Sequence, residues 1–148
     1  MPTAGLLTFV RIRVPKPITV TNIVMHVSTA GGTLTSGQCF AALYAGVSLV
    51  GQTADQAVAW ASTGLKTMAL AGGPYSLTIG NHYVAFWFNG TTGPAFPRDS
   101  GFSAISANVG LSTPNFKCGT ADTSITTTAP PTMGAQTSTG SHWSVALS

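Results

Sequence analysis

His82-Tyr-Val-Ala-Phe-Trp-Phe-Asn89 is apolar at every position between its two polar ends. In a strand, successive side chains project to opposite faces, so Tyr83, Ala85 and Trp87 line one face and Val84, Phe86 and Phe88 the other. A strand that is apolar on both faces must be covered on both, which marks this run as the central strand of a sheet packed above and below. Gly80-Asn81 precedes it, and Asn89-Gly90 ends it in an abrupt turn.

Towards the N-terminus, Leu7–Val14 alternates as well. Val10, Ile12 and Val14 share one face, and Phe9, Arg11 and Arg13 the other. Pro15 and Pro17 end this strand, because proline brings no N–H to a ladder. Ile18–Val27 resumes with Ile18 and Val20, then Ile23, Met25 and Val27; the phase slips at Asn22, the mark of a β-bulge or of a wrong register. The glycines of Ala30–Gly37 predict a loop. Gln38–Tyr44 and Ser48–Gln52 predict a tight hairpin about Gly46.

Asp55–Gly64 is the one stretch with helical character, expected as a short helix that carries Trp60 inward. Thr53 is its expected cap, Asp55 its first-turn acid and Gly64 its stop. Lys66–Ala71 and Tyr75–Ile79 are strands about Gly72-Gly73-Pro74. Beyond the central strand, Thr91–Ser100 reads as loop and Phe102–Val109 as a strand with Asn108 its weak point. The run 113–138, rich in Thr, Ser and Pro, reads as a surface loop over the body or a partner-contacting arm. His142–Ser148 returns to the sheet with Trp143, Val145 and Leu147 on one face. The sum is an all-β single domain over 1–148. It is expected as an antiparallel, jelly-roll-like sandwich or partly open barrel of about eight strands, with one short helix at most.

Composition agrees. The 148 residues are 44 % hydrophobic but only 6 % charged, with no Glu, so polar surface must come from Thr, Ser, Asn, Gln and backbone, as in β-rich exteriors. The six basic residues cluster only at Arg11, Arg13 and Lys16, too little for the basic stripe that nucleic acid requires. No apolar run approaches the roughly 18 residues of a membrane span, and the N-terminal residues lack the basic region of a signal peptide. With no signal peptide expected, Asn89-Gly-Thr91 reads as a turn and not as a glycosylation acceptor. Cys39 lies in an apolar run and reads as a buried free thiol; Cys39 and Cys118 allow one disulfide at most.

Chemistry-bearing residues are sparse. His26, His82 and His142 have no metal-ligand spacing. Ser100, in Arg98-Asp-Ser-Gly101, has no nucleophile elbow around it, though a triad with a histidine is formally available. Asp55 and Asp99 are the only candidates for a glycosidase pair. No catalytic, metal or cofactor site is expected. Trp87 and Trp143 alternate with apolar neighbours and read as core. Tyr75, Phe96, Phe102 and Phe116 flank loops, where rings can serve as platforms for sugars. Arg11, Arg13, Tyr75, Phe96, Arg98, Asp99 and Phe116 are therefore the candidate ligand or subunit contacts.

The pieces Leu7-Thr-Phe-Val-Arg-Ile-Arg-Val-Pro15, Ile18-Thr-Val-Thr-Asn-Ile-Val24, Cys39-Phe-Ala-Ala-Leu-Tyr44, Gly51-Gln-Thr-Ala-Asp-Gln-Ala-Val-Ala-Trp60, Lys66-Thr-Met-Ala-Leu70 and His82–Gly90 occur in that order. In this the run Leu7–Pro97 resembles a β-sandwich module of minor tail and fibre-like proteins of actinobacterial tailed phages. The resemblance implies a non-catalytic virion surface protein, on tail or capsid exterior. It is expected to be trimeric, to contact other virion proteins and to serve in host attachment through a receptor or surface glycan. A capsid decoration protein is the alternative, and a small cell-surface-degrading enzyme a further one. Every matching piece is a packing or turn feature, so no catalytic residue transfers.

Overall fold

The computed structural model describes residues 1–99, 101 and 103–148. The chain runs through β1 (Leu7–Val14), β2 (Ile18–Val20), β3 (Asn22–Val27) and β4 (Gly32–Leu34), then the hairpin β5 (Phe40–Ala45) and β6 (Ser48–Gln52). A one-turn helix α1 (Ala57–Trp60) leads to β7 (Gly64–Ala69), β8 (Tyr75–Leu77), β9 (Gly80–Trp87) and β10 (Gly90–Thr92). Then come β11 (Arg98–Asp99), helix α2 (Ala104–Asn108), β12 (Cys118–Ala121), β13 (Thr137–Ser138), β14 (His142–Trp143) and β15 (Val145–Leu147).

The doubly apolar run takes the central place that its two apolar faces require. β9 lies inside a six-stranded antiparallel sheet of order β13-β12-β1-β9-β5-β6, with Val10 of β1 and Leu43 of β5 both opposite Val84. Val84, Phe86 and Phe88 enter one core with Val10, Val14 and Leu43; Tyr83, Ala85 and Trp87 enter a second with Leu7, Phe9 and Tyr44. The first core is closed by the sheet β15-β3-β7 and the ribbon β2-β8, which contribute Ile23, Met25, Val27, Met68, Val20 and Leu77. This is an all-β sandwich of antiparallel sheets, with no closed barrel among the described residues. Through its middle runs a chain of edge-to-face rings, Trp60–Phe96–Phe86–Trp143, with centroids 5.3, 5.1 and 5.7 Å apart. Each such pair adds about 0.5–1.5 kcal/mol beyond burial itself.

Among the described residues no second sheet faces the second core. The threonine-rich run lies across it, sinking Ile125, Ala129 and Met133 between the sheet's aromatic side chains. Side chains of the sheet hold that run by its backbone. Trp87 Nε1 donates to Thr126 O (2.9 Å), Asn89 Nδ2 to Ile125 O (2.8 Å), Gln52 Nε2 to Thr127 O (3.0 Å) and Tyr44 Oη to Pro130 O (2.9 Å).

Several local expectations are corrected. The slip at Asn22 is a break between strands: Thr21 separates β2, which pairs with β8, from β3, which pairs with β7 and β15. The loops at 30–37 and 91–100 contain β4 and β10, which pair with each other, and β11. Thr53 does not cap α1, whose N-cap is Gln56; its hydroxyl accepts from the Ala41 N–H, and Asp55 accepts from the Cys39 N–H instead of sitting in the helix. Gly64 opens β7. A second helix, α2, replaces the strand expected at 102–109. Ser100 and Phe102 lie outside the described residues.

Candidate functional site

At one end of the sandwich β11 pairs with β14, so that Arg98 stands opposite Trp143 and Asp99 opposite His142. Because faces alternate along a strand, the two pairs look to opposite sides of this short ribbon. On the Asp99–His142 side is a hollow of about 240 Å³ that Ser106, Val109 and Lys117 also line. On the Arg98–Trp143 side is one of about 310 Å³, lined also by Thr8, Thr120, Thr139 and Ser141. Two of the six basic residues and one of the three acids thus gather at this end.

Local chemistry fixes the walls. Ser103 caps α2, its Oγ accepting from the Ser106 N–H (3.1 Å). Asn108, 1 % exposed, then ties three segments together. Its Oδ1 accepts from the backbone N–H groups of Lys117 (2.6 Å) and Cys118 (3.1 Å), while Nδ2 donates to Ala104 O (3.1 Å) and Thr139 O (3.2 Å). The helix ends on Val109 in the left-handed region, φ 54°. For a β-branched residue that costs about 1–3 kcal/mol, and it leaves the Val109 side chain exposed at the hollow's edge.

The candidate contacts distribute unevenly. Arg98 and Asp99 are exposed at the ribbon, and Arg98 Nη1 donates to Ser141 Oγ (2.7 Å). Arg11 is half-buried on β1 and donates to Asn115 O (2.9 Å), whereas Arg13 on the same face is exposed. Phe96 is corrected: it is buried in the ring chain and presents no face to a ligand. Tyr75 is half-buried over Gly51, where an added Cβ would come within 2.7 Å of its ring, and its hydroxyl donates to Ala71 O. Phe116 packs half-buried against the second core.

The titratable groups do not converge elsewhere. His26 is exposed on β3, and Asp122 accepts from the Gly134 N–H (2.9 Å). His82 is buried, with Nε2 as the donor to Thr78 O (2.9 Å). Among the described residues no three His, Cys or Asp side chains gather to hold a metal ion. Both thiols are free and buried, and burial pushes Cys39 and Cys118 above the ordinary thiol range, which leaves little reactive thiolate.

Asn108, Lys117, Thr139 and Ser141 escape a reading of the sequence for sites. A signal for α2 does exist: Ser103 as start and Gly110 as stop bracket Ala104–Asn108. Comparison with protein-family models, curated proteins and solved structures finds no match to this chain.

Proposed function

We propose that this chain is a non-catalytic virion surface module that attaches a tailed phage to its host. The ribbon end would meet a surface saccharide. The observation that carries the reading is the gathering of Arg98, Asp99, Lys117 and His142 around two hollows in a chain that has few charges to spend. Such hollows, with a few convergent polar groups on a rigid frame, suit a polyhydroxylated ligand. Asp55 and His82 are meanwhile occupied in structural hydrogen bonds.

A second surface supports assembly into a homotrimer and packing against other virion proteins. The outer side of β15-β3-β7 carries a shallow hollow of about 230 Å³ lined by Val24, Leu65, Val145 and Ala146 beside His26, with Leu65 69 % exposed. Its lining holds no Lys, Arg or Asp among the described residues. An uncharged apolar sheet face of this kind favours burial against a neighbour. The same face would serve the alternative, capsid decoration, whereas the polar hollows favour attachment.

The test is adsorption of fluorescently labelled protein to actinobacterial cells. Saturable binding, competed by soluble cell-wall polysaccharide and with no release of sugar fragments, is expected. Absence of saturable binding overturns attachment, and fragment release overturns the non-catalytic reading. Light scattering that shows only monomer at tens of micromolar overturns the trimer for the free chain.

A further inference from the structure

We infer that the hollow on the Arg98 side of the ribbon takes an oxyanion carried on a saccharide, a carboxylate or phosphate group whose neighbouring hydroxyls meet the threonine wall. The inference rests on the attachment reading and names the ligand class of its site.

The charge comes first. Arg98 is the one charged side chain in the lining among the described residues; Asp99, next in sequence, looks to the other side of the ribbon. The guanidinium is exposed and unburdened by a carboxylate in its own hollow. It spends one donor on Ser141 Oγ at 2.7 Å, which orients the planar fork and leaves further N–H groups free. A fork held in this way matches the two oxygens of a carboxylate or phosphate.

The surroundings are matched to such a group. Thr8, Thr120, Thr139 and Ser141 bring hydroxyls that donate as readily as they accept, so the wall can serve both an oxyanion and sugar hydroxyls. Trp143 lines the hollow while 4 % exposed, and its indole N–H is buried with no acceptor among the described residues. The hollow thus joins the Arg98 cation and a hydroxyl wall, with no acidic side chain in its lining among the described residues to repel an anion. The hollow across the ribbon, with Asp99 and His142 in its wall, has no such bias.

Calorimetric titration of the full chain tests this with four probes: a hexuronate oligosaccharide, a phosphorylated hexose, a neutral hexose oligosaccharide and inorganic phosphate. Saturable binding of at least one anionic saccharide is expected, about tenfold or more tighter than the neutral one and weakened by salt. Arg98→Gln should weaken it by about tenfold or more, and Ser141→Ala by less, while Lys66→Gln, on the edge strand β7, leaves it unchanged. Which anionic probe binds identifies the source of the oxyanion. Equal binding of acidic and neutral saccharides, indifference to Arg98→Gln in a variant that melts normally, or inorganic phosphate binding as tightly as the saccharides would each overturn the assignment. Cell adsorption that persists in Arg98→Gln, with no anionic saccharide bound, removes this inference and leaves attachment standing. Loss of adsorption in the unmodified chain removes attachment itself.

Discussion

Replacing Asn108 with alanine removes one side chain and detaches three segments. Oδ1 satisfies two backbone donors at once, those of Lys117 and Cys118, in a place where Cys118 is fully buried. A buried donor left without a partner costs about 1–3 kcal/mol, so two give about 2–6 kcal/mol. The Ala104 and Thr139 carbonyls lose a donor as well, but each accepts two bonds and suffers less. Allowing for some entry of water, the loss should be about 3–4 kcal/mol, a large part of the 5–15 kcal/mol that holds an ordinary domain together. For a chain of 148 residues this corresponds to a fall in Tm of roughly 10 °C. Urea unfolding followed by tryptophan fluorescence reads it directly, since Trp60, Trp87 and Trp143 are all buried and will report the transition. Asn108→Leu, which restores volume without polar atoms, should be no better than alanine. A cost below about 1 kcal/mol for alanine, or recovery by leucine, would refute the argument that hydrogen bonds and not packing hold this corner. Because the same side chain sets the walls of both hollows, ligand binding should fall with Asn108→Ala even where the protein remains folded.

Three further outcomes are expected. Gly119→Ala would set a Cβ 2.4 Å from Thr137 O and 2.7 Å from the Phe9 ring, so β13 must give way; thermal melting should show a loss of about 1–3 kcal/mol or more, and an unchanged Tm would contradict the packing of β12 on Phe9. Burial raises the phenols of Tyr44 and Tyr83 and the thiols of Cys39 and Cys118 above their ordinary values of 10.0 and 9.0. All four are neutral when protonated, and above those values the unfolded chain sheds protons that the folded chain keeps; stability from these groups is therefore full at neutral pH and lost as pH rises from about 9 upward. Denaturant titrations across that range should show the decline, shallower in Tyr44→Phe. An aromatic disulfide reagent should label neither cysteine in the native protein at neutral pH and both in urea; rapid native labelling would contradict the burial of the thiols.

The parts of the fold legible in the sequence are those where burial repeats at a fixed period. Residues 82–89 could be placed at the centre because both of their faces are apolar, and residues 7–14 could be read as a strand because they alternate; that this strand lies beside the central one, with Leu7 and Phe9 in the second core, is a matter of long-range pairing. The same rule fails where strands are two residues long, as in β11 and β14, since two residues carry no period. It misleads at Asn108, where a polar residue in an apolar stretch reads as a flaw in a strand. In fact the stretch is helical and the asparagine is its most heavily bonded member. The candidate site shares this origin. Arg98 and Asp99 stand out as charges in an almost uncharged chain, but Lys117, Thr139 and Ser141 reach them only through the bonds of Asn108 and the pairing of β12 with β13.

The threonine-rich run shows why such a segment resists reading. Its polar anchors are not its own side chains but its backbone groups, which every residue has, and the side chains that bond them are Gln52, Tyr44 and Trp87 on strands and Asn89 just beyond β9, all far away in sequence. Three side chains of the sheet and Asn89 after β9 thus fix the backbone of residues 125–130. The run itself is left free to be Thr, Ser and Pro, with an apolar side chain only where one must enter the second core, at Ile125, Ala129 and Met133. This also accounts for the scarcity of charge. Polar demand on that face is met by carbonyls and hydroxyls, and charged side chains would have to be desolvated to lie there. Where charge does meet that cover it is bonded to backbone, Arg11 to Asn115 O and Asp122 to the Gly134 N–H, while Arg98, Asp99 and Lys117 stand at the ribbon end beside open hollows.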